Sequence, residues 1–120
     1  MSKYVDGFLL PIEAENVEKY REIAQTAGEI WKEHGALEYI EAVGDDLENE
    51  GMTSFKKSAD TQENETVILA FIVFESKEER DRINKLVMED ERLKDCMNIH
   101  GKIFDFKRMA YGGFKTIVAE

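Results

Sequence analysis

The chain is poor in the residues that build most covalent or metal-stapled folds. In 120 residues it has one cysteine, one proline and two histidines, and 16 lysines and arginines against 26 aspartates and glutamates, a formal net charge of −10. A lone Cys96 cannot close an internal disulfide and excludes a cysteine-based zinc ribbon. His34 and His100 are not spaced as paired helix ligands, so neither a metal nor a cofactor is expected. The deficit of positive charge argues against nucleic acid or an anionic membrane as a general partner, because phosphate binding needs clustered cations. No apolar run reaches the ~18 residues of a membrane span. The first residues carry no signal-peptide core, so a reducing cytoplasm is the expected compartment. No nucleophile motif and no nucleotide-binding glycine loop is present, and Gly112-Gly113 precedes no helix and reads as a bulge or tight turn. The acidic run Asp45-Asp46 with Glu48 and Glu50 does not match an EF-hand loop and reads as a solvated loop.

What is present is a clear order of elements within a length suited to one domain, residues 1–120. Tyr4 to Ile12 reads as a strand whose pairing should stop at Pro11. From Glu15 the period changes, and Val17, Tyr20, Ile23, Ala24, Ala27, Ile30 and Trp31 form a helical stripe that His34-Gly35 should close. Leu37 to Val43 is a second strand, with Tyr39 and Glu41 on one face. Gly44 to Glu65 reads as a long polar loop holding at most a short strand at Met52–Phe55. Thr66 to Phe74 is the third strand. Ser76 with Glu79 is a capping-box signature opening a helix with Ile83, Leu86 and Val87 buried. Asp90 to Gly101 looks irregular, with room for a further helical turn, and Ile103 to Tyr111 is the last strand. The order predicts an α+β, ferredoxin-like βαββαβ fold with an antiparallel sheet and strands one and three at its centre.

The third strand, Val67-Ile68-Leu69-Ala70-Phe71-Ile72-Val73-Phe74, is apolar at both parities. A one-sided antiparallel sheet would alternate, so both faces of this sheet expect cover. Helices cover one face. A second copy around a two-fold axis is the simplest cover for the other, and burying four such side chains offers roughly 6–12 kcal/mol before association costs. A homodimer is expected on that ground, the alternative being that Phe114–Glu120 folds back over the face.

Several runs together resemble the YbaA-like family of small bacterial proteins. They are Tyr4-Val5-Asp6-Gly7-Phe8, Gly35-Ala36-Leu37-Glu38, Ser76 with Arg80-Asp81 and Asn84, Phe104-Asp105, and Lys107-Arg108-Met109 with Tyr111-Gly112-Gly113-Phe114. The resemblance covers nearly the whole chain and implies the dimeric α+β barrel superfamily, whose members include cofactor-independent monooxygenases, haem enzymes and dehydratases. It implies no catalytic residues. Phe106 stands where the family more often has a small residue, which implies a narrower neighbouring cavity.

Asp6 shares a parity with Tyr4, Phe8 and Leu10, so a charge is placed on a buried-looking face, and buried charges are paired. With Lys107 and Arg108 on the neighbouring last strand, it forms either a structural ion pair or one wall of a ligand cavity. His34 is either a helix-terminal cation or, with Trp31 and Glu38 or Glu41, a proton-transfer group. Phe8, Trp31, Tyr39, Phe71 and Phe106 are the aromatic residues expected to line a cavity. The ligand-binding candidates are therefore Asp6, Trp31, His34, Glu41, Phe71, Lys107 and Arg108. They support either a module that binds a small molecule or serves structurally, or a cofactor-independent enzyme acting on a small, largely apolar substrate.

Overall fold

The computed structural model describes residues 2–100, 103 and 105–120, the side chains of residues 99 and 100 excepted. Strands β1 (Tyr4–Glu13), β2 (Glu38–Val43), β3 (Glu65–Phe74) and β4 (Ala110–Lys115) form one antiparallel sheet in the order β2-β3-β1-β4. The long, apolar strands β1 and β3 are central, as the crossover rules predict. Helices α1 (Val17–His34), α3 (Lys77–Met88) and α4 (Glu91–His100) accompany the sheet, and a single turn, α2 (Phe55–Ser58), interrupts the long connection between β2 and β3. Among the described residues no helix is long and apolar enough to cross a membrane.

Even-numbered residues of β1 and β3 carry the core. Leu10, Ile12, Ile68 and Ala70 pack with Tyr20 and Ala24 of α1. Ile72 and Phe74 pack with Ile30, Ile83 and Val87, which joins α1 and α3 to the same sheet face. Gly35 ends α1 at φ 123°, a backbone conformation that disfavours other residues, and its N–H returns to the Lys32 carbonyl at 3.1 Å. Ser76 Oγ accepts from the Glu79 N–H at 3.1 Å, so the expected cap opens α3.

Several expectations need correction. Pairing of β1 with β3 does not stop at Pro11 but continues to Glu13↔Glu65. The Val67 carbonyl accepts from Gly44 at 2.8 Å and so faces β2, which makes Pro11↔Val67 a non-hydrogen-bonded pair. The imino nitrogen of Pro11 thus points to the other side of β1, where β4 has already ended at Leu9↔Ala110, and no ladder bond is lost. Met52–Phe55 is not a strand. Ser54 caps the α2 turn there, and α2 packs against β3. Leu86 is not buried in α3 but 39% exposed. Within the stretch read as irregular with room for a further helical turn, Glu91–His100 forms α4, whose Cys96 is buried, and Gly101 lies outside the described residues. The last strand begins at Ala110, so Lys107 and Arg108 lie in a short 3-10 turn, Phe106–Arg108, ahead of it. Gly112 and Gly113 make no bulge. They pair in register with Gly7 and Asp6 within β4.

Odd-numbered residues of β1 and β3 form the opposite face with Ile40 of β2 and Phe114 of β4, which the register aligns with Phe71 and Val5. Val67 and Pro11 at one end of this face are buried, whereas Ile40, Leu69 and Phe114 are 41%, 44% and 61% exposed.

Candidate functional site

Between the helices and the core face of the sheet lies a half-open cavity of about 510 Å³, whose lining residues Met88, Phe106 and Tyr111 are themselves exposed to solvent. Its walls come from β1 (Phe8), α1 (Ala27, Trp31), β3 (Ala70, Ile72), α3 (Asn84, Met88), α4 (Leu93, Met97) and the approach to β4 (Phe106, Met109, Tyr111). At one end it meets an open groove between α1 and β2, with Tyr20, Ala24, Tyr39 and Glu41 lining both spaces.

Glu41 forms the polar pole at that junction. The alternation of β2 sends Tyr39 and Glu41 to the same side, toward α1, and the helical stripe brings Tyr20 to meet them. Tyr20 donates its hydroxyl proton to Glu41 Oε1 and Tyr39 donates to Glu41 Oε2. Burial raises the Glu41 carboxyl above its ordinary range, with the two phenol hydrogen bonds opposing. Burial also raises both phenols well above theirs, and the neighbouring carboxylate adds to the effect. The result is a desolvated carboxyl group held from both sides by neutral donors.

The second pole is centred on Asp6, the one fully buried charge among the described residues. Its Oδ2 accepts from Asn84 Nδ2 at 3.0 Å and from the Tyr111 hydroxyl at 3.1 Å. Arg80 Nη1 stands 3.4 Å from Oδ1 and donates to the Tyr111 hydroxyl at 2.8 Å. The Arg80 guanidinium also lies 4.9 Å over the ring of Tyr4. Gly113 explains how this cluster fits into a sheet: a Cβ at Gly113 would stand 2.5 Å from the Tyr4 hydroxyl, so only a glycine leaves room for the phenol beside Asp6. Asn84 in turn accepts from Trp31 Nε1 at 2.9 Å, which fixes the indole in the cavity wall.

The structure separates most of the residues that sequence reasoning grouped. Asp6 does not meet Lys107 or Arg108, because those residues precede β4 instead of lying on it. Arg108 chelates Glu65 at 2.7 and 2.8 Å and reaches the Asp60 carbonyl at 2.8 Å, and this hydrogen bonding holds the Glu65 carboxyl below its usual range. Lys107 is exposed. His34 Nε2 pairs with Asp90 at 3.0 Å, outside the cavity and away from Trp31's contact with Asn84 and from Glu41. Phe71 lies on the opposite sheet face, aligned with Gly7, and does not line the cavity. Trp31 and Glu41 do line it. The side chain of His100 lies outside the described residues. Arg80, Asn84, Tyr20 and Tyr111 are the residues that sequence reasoning left out of the site. The one available signal was the Ser76-anchored helix register, which sets Arg80 and Asn84 one turn apart on the same face as Ile83 and Val87. Among the described residues no group of three or more His, Cys, Asp or Glu side chains converges as a metal site.

Residues 3–106 match the profile of the family described as protein of unknown function, DUF1428. The chain belongs to this family. It is 40% identical over 118 residues to the uncharacterised protein YbaA of Escherichia coli K12, covering 98% of this chain and 99% of YbaA, and equally so to YbaA of Shigella flexneri. In structure it is similar to a NIPSNAP family protein with unknown function from Agrobacterium tumefaciens, with a TM-score of 0.57 and 15% identity over 96% of this chain and 87% of that one. DUF1428 membership and the NIPSNAP likeness establish the family and the fold. The chemistry of the DUF1428 chain is read from its own cavity.

Proposed function

We propose that the protein binds a small, largely apolar molecule in this cavity and works as a homodimer. The observation that carries this reading is the cavity itself: about 510 Å³ of space between the helices and the sheet, apolar over most of its wall, with polar groups at two poles. Ligand sites are concave and combine apolar walls with a few placed polar groups, as this cavity does. The dimer is supported by the second sheet face, where Ile40, Leu69 and Phe114 stand exposed around the half-buried Phe71. A second copy packing sheet on sheet would cover these residues symmetrically. A cofactor-independent enzyme is the second reading. It is favoured by Glu41, whose carboxyl group lies where the cavity meets the open groove and could pass a proton between a bound molecule and solvent.

Native mass spectrometry of the protein taken directly from cell extract tests the cavity. A small organic adduct should accompany the wild type and be lost from Ala27→Met, which fills the cavity from α1; an adduct retained by that variant overturns the assignment. Size exclusion with light scattering tests the dimer, and a monomer at micromolar concentration refutes it.

A further inference from the structure

The composition of the cavity wall narrows the ligand further, on the footing that the cavity is a small-molecule site. No lysine, arginine or histidine lines it among the described residues, and the carboxyl of Glu41 does. Arg80 is engaged with Asp6 and Tyr111, and Arg108 with Glu65. A carboxylate or phosphate ligand would therefore enter a space with no cation to receive it, at the cost of desolvating its charge beside another acid.

The wall also has a consistent texture. Phe8 and Tyr111 meet at 5.0 Å and Trp31 and Tyr39 at 5.8 Å between ring centroids, each pair tilted, so two aromatic pairs contribute to the cavity lining. Met88, Met97 and Met109 approach from α3, α4 and the segment before β4. Polarisable thioethers and aromatic walls both favour a flat aromatic guest over an aliphatic chain. Ring orientation on one side is set by the Trp31 to Asn84 hydrogen bond.

The polar poles then define the functional group. Each oxygen of Glu41 accepts one phenol proton and keeps further lone-pair capacity, so the pole facing the cavity is an acceptor. Tyr20 and Tyr39 are themselves hydroxyaryl groups resting on this carboxyl, and a guest of the same chemistry would add a third donor. Asn84 uses one proton of its amide nitrogen on Asp6 and has a second to offer, which suits an oxygen acceptor at the other end of the guest.

We propose that the cavity is a site for a neutral hydroxyaryl compound, its rings held between the aromatic and methionine walls and its hydroxyl donating to Glu41. Isothermal titration calorimetry at pH 8 with four probes tests this: 2-naphthol, 2-methoxynaphthalene, 2-naphthoate and 1-decanol. One 2-naphthol per chain should bind, with the methoxy analogue weaker by at least about tenfold because it offers no proton to the Glu41 carboxyl. The naphthoate and decanol should be weaker still. In Glu41→Gln the preference for naphthol over its methyl ether should collapse to below about threefold, with the ether itself bound as by wild type. Equal affinity for naphthol and its ether overturns the hydroxyl contact, and decanol or naphthoate binding as tightly as naphthol overturns the hydroxyaryl assignment, while either result leaves a small-molecule cavity standing. Failure of all four probes to bind overturns both.

Discussion

Replacing Arg80 by methionine should be among the most damaging single changes in this chain, and its cost can be worked from the geometry. Asp6 has no solvent exposure; among the described residues its Oδ1 takes no hydrogen bond and the one cation beside it is Arg80 Nη1 at 3.4 Å. At that separation and an effective dielectric near ~20 the gross attraction is about 5 kcal/mol. Arg80→Met keeps the apolar stem against Tyr4 and removes the charge, leaving a carboxylate held only by Asn84 and Tyr111. Stranding a buried charge in this way costs about 3–5 kcal/mol. Asp6→Asn should cost less, about 1–3 kcal/mol, because Arg80 is 16% exposed and keeps Asp81 at 3.1 Å and the Tyr111 hydroxyl. The double variant should be more stable than the sum of the two losses predicts, by at least about 1 kcal/mol. Urea unfolding at one fixed protomer concentration measures all three, since an assembling protein has a concentration-dependent midpoint. For a chain of this length the Arg80→Met loss corresponds to a fall in Tm of roughly 12–20 °C. Arg82→Met serves as the control, expected to leave the urea midpoint nearly unchanged because Arg82 and its partner Glu79 are 52% and 40% exposed. An Arg80→Met loss no larger than that of Asp6→Asn would refute the reasoning.

Three further outcomes follow from the same structure. Gly28→Ala should destabilise by about 1–3 kcal/mol despite the better helix propensity of alanine, because the new Cβ would stand 2.7 Å from the ring of Tyr39; in a Tyr39→Ala background the same substitution should cost little in thermal melts. Ser76→Ala should cost about 1 kcal/mol in chemical denaturation by releasing the Glu79 N–H at the start of α3, and an unchanged midpoint would show that the cap contributes nothing. Burial raises the carboxyl of Glu41 in the folded state above its ordinary value of 4.5, so the folded protein holds that proton more tightly than the unfolded chain. The resulting stability is fully present below pH 4.5 and is lost as pH rises through the folded value. Glu41→Gln should therefore gain on wild type as pH rises from 4 to 8 in urea titrations, and a gap that does not change with pH would contradict the burial effect.

The order of strands and helices was legible because it rests on local periodicity. The even parity of β1, the 3.6-residue stripe of α1 and the Ser76 cap each state their burial within one element, and short connections then limit the topology. Asp6 was legible for the same reason: a charge at an apolar parity announces that it needs a partner. Its partner was not legible. A two-dimensional reading pairs Asp6 with the charged residues of the expected last strand, but Lys107 and Arg108 fall in a 3-10 turn and the strand begins at Ala110. That shift puts Gly113 opposite Asp6 and opens the space into which Arg80, one turn inside α3, brings its guanidinium across 74 positions of sequence. The Glu41 pole divides in the same way. That Tyr39 and Glu41 share a face follows from strand alternation, but the arrival of Tyr20 depends on how α1 crosses the sheet. Phe71 shows the limit most simply. An aromatic residue in a strand apolar at both parities belongs to either face, and only the pairing of β3 with β1 assigned it to the side away from the cavity. The sequence by itself therefore determined the order of the strands and the two main helices and the buried stripes of β1 and α1, since those depend on contacts a few residues apart. The tertiary structure alone decided which polar groups meet in the cavity, because those distances are set by packing between elements far apart in the chain.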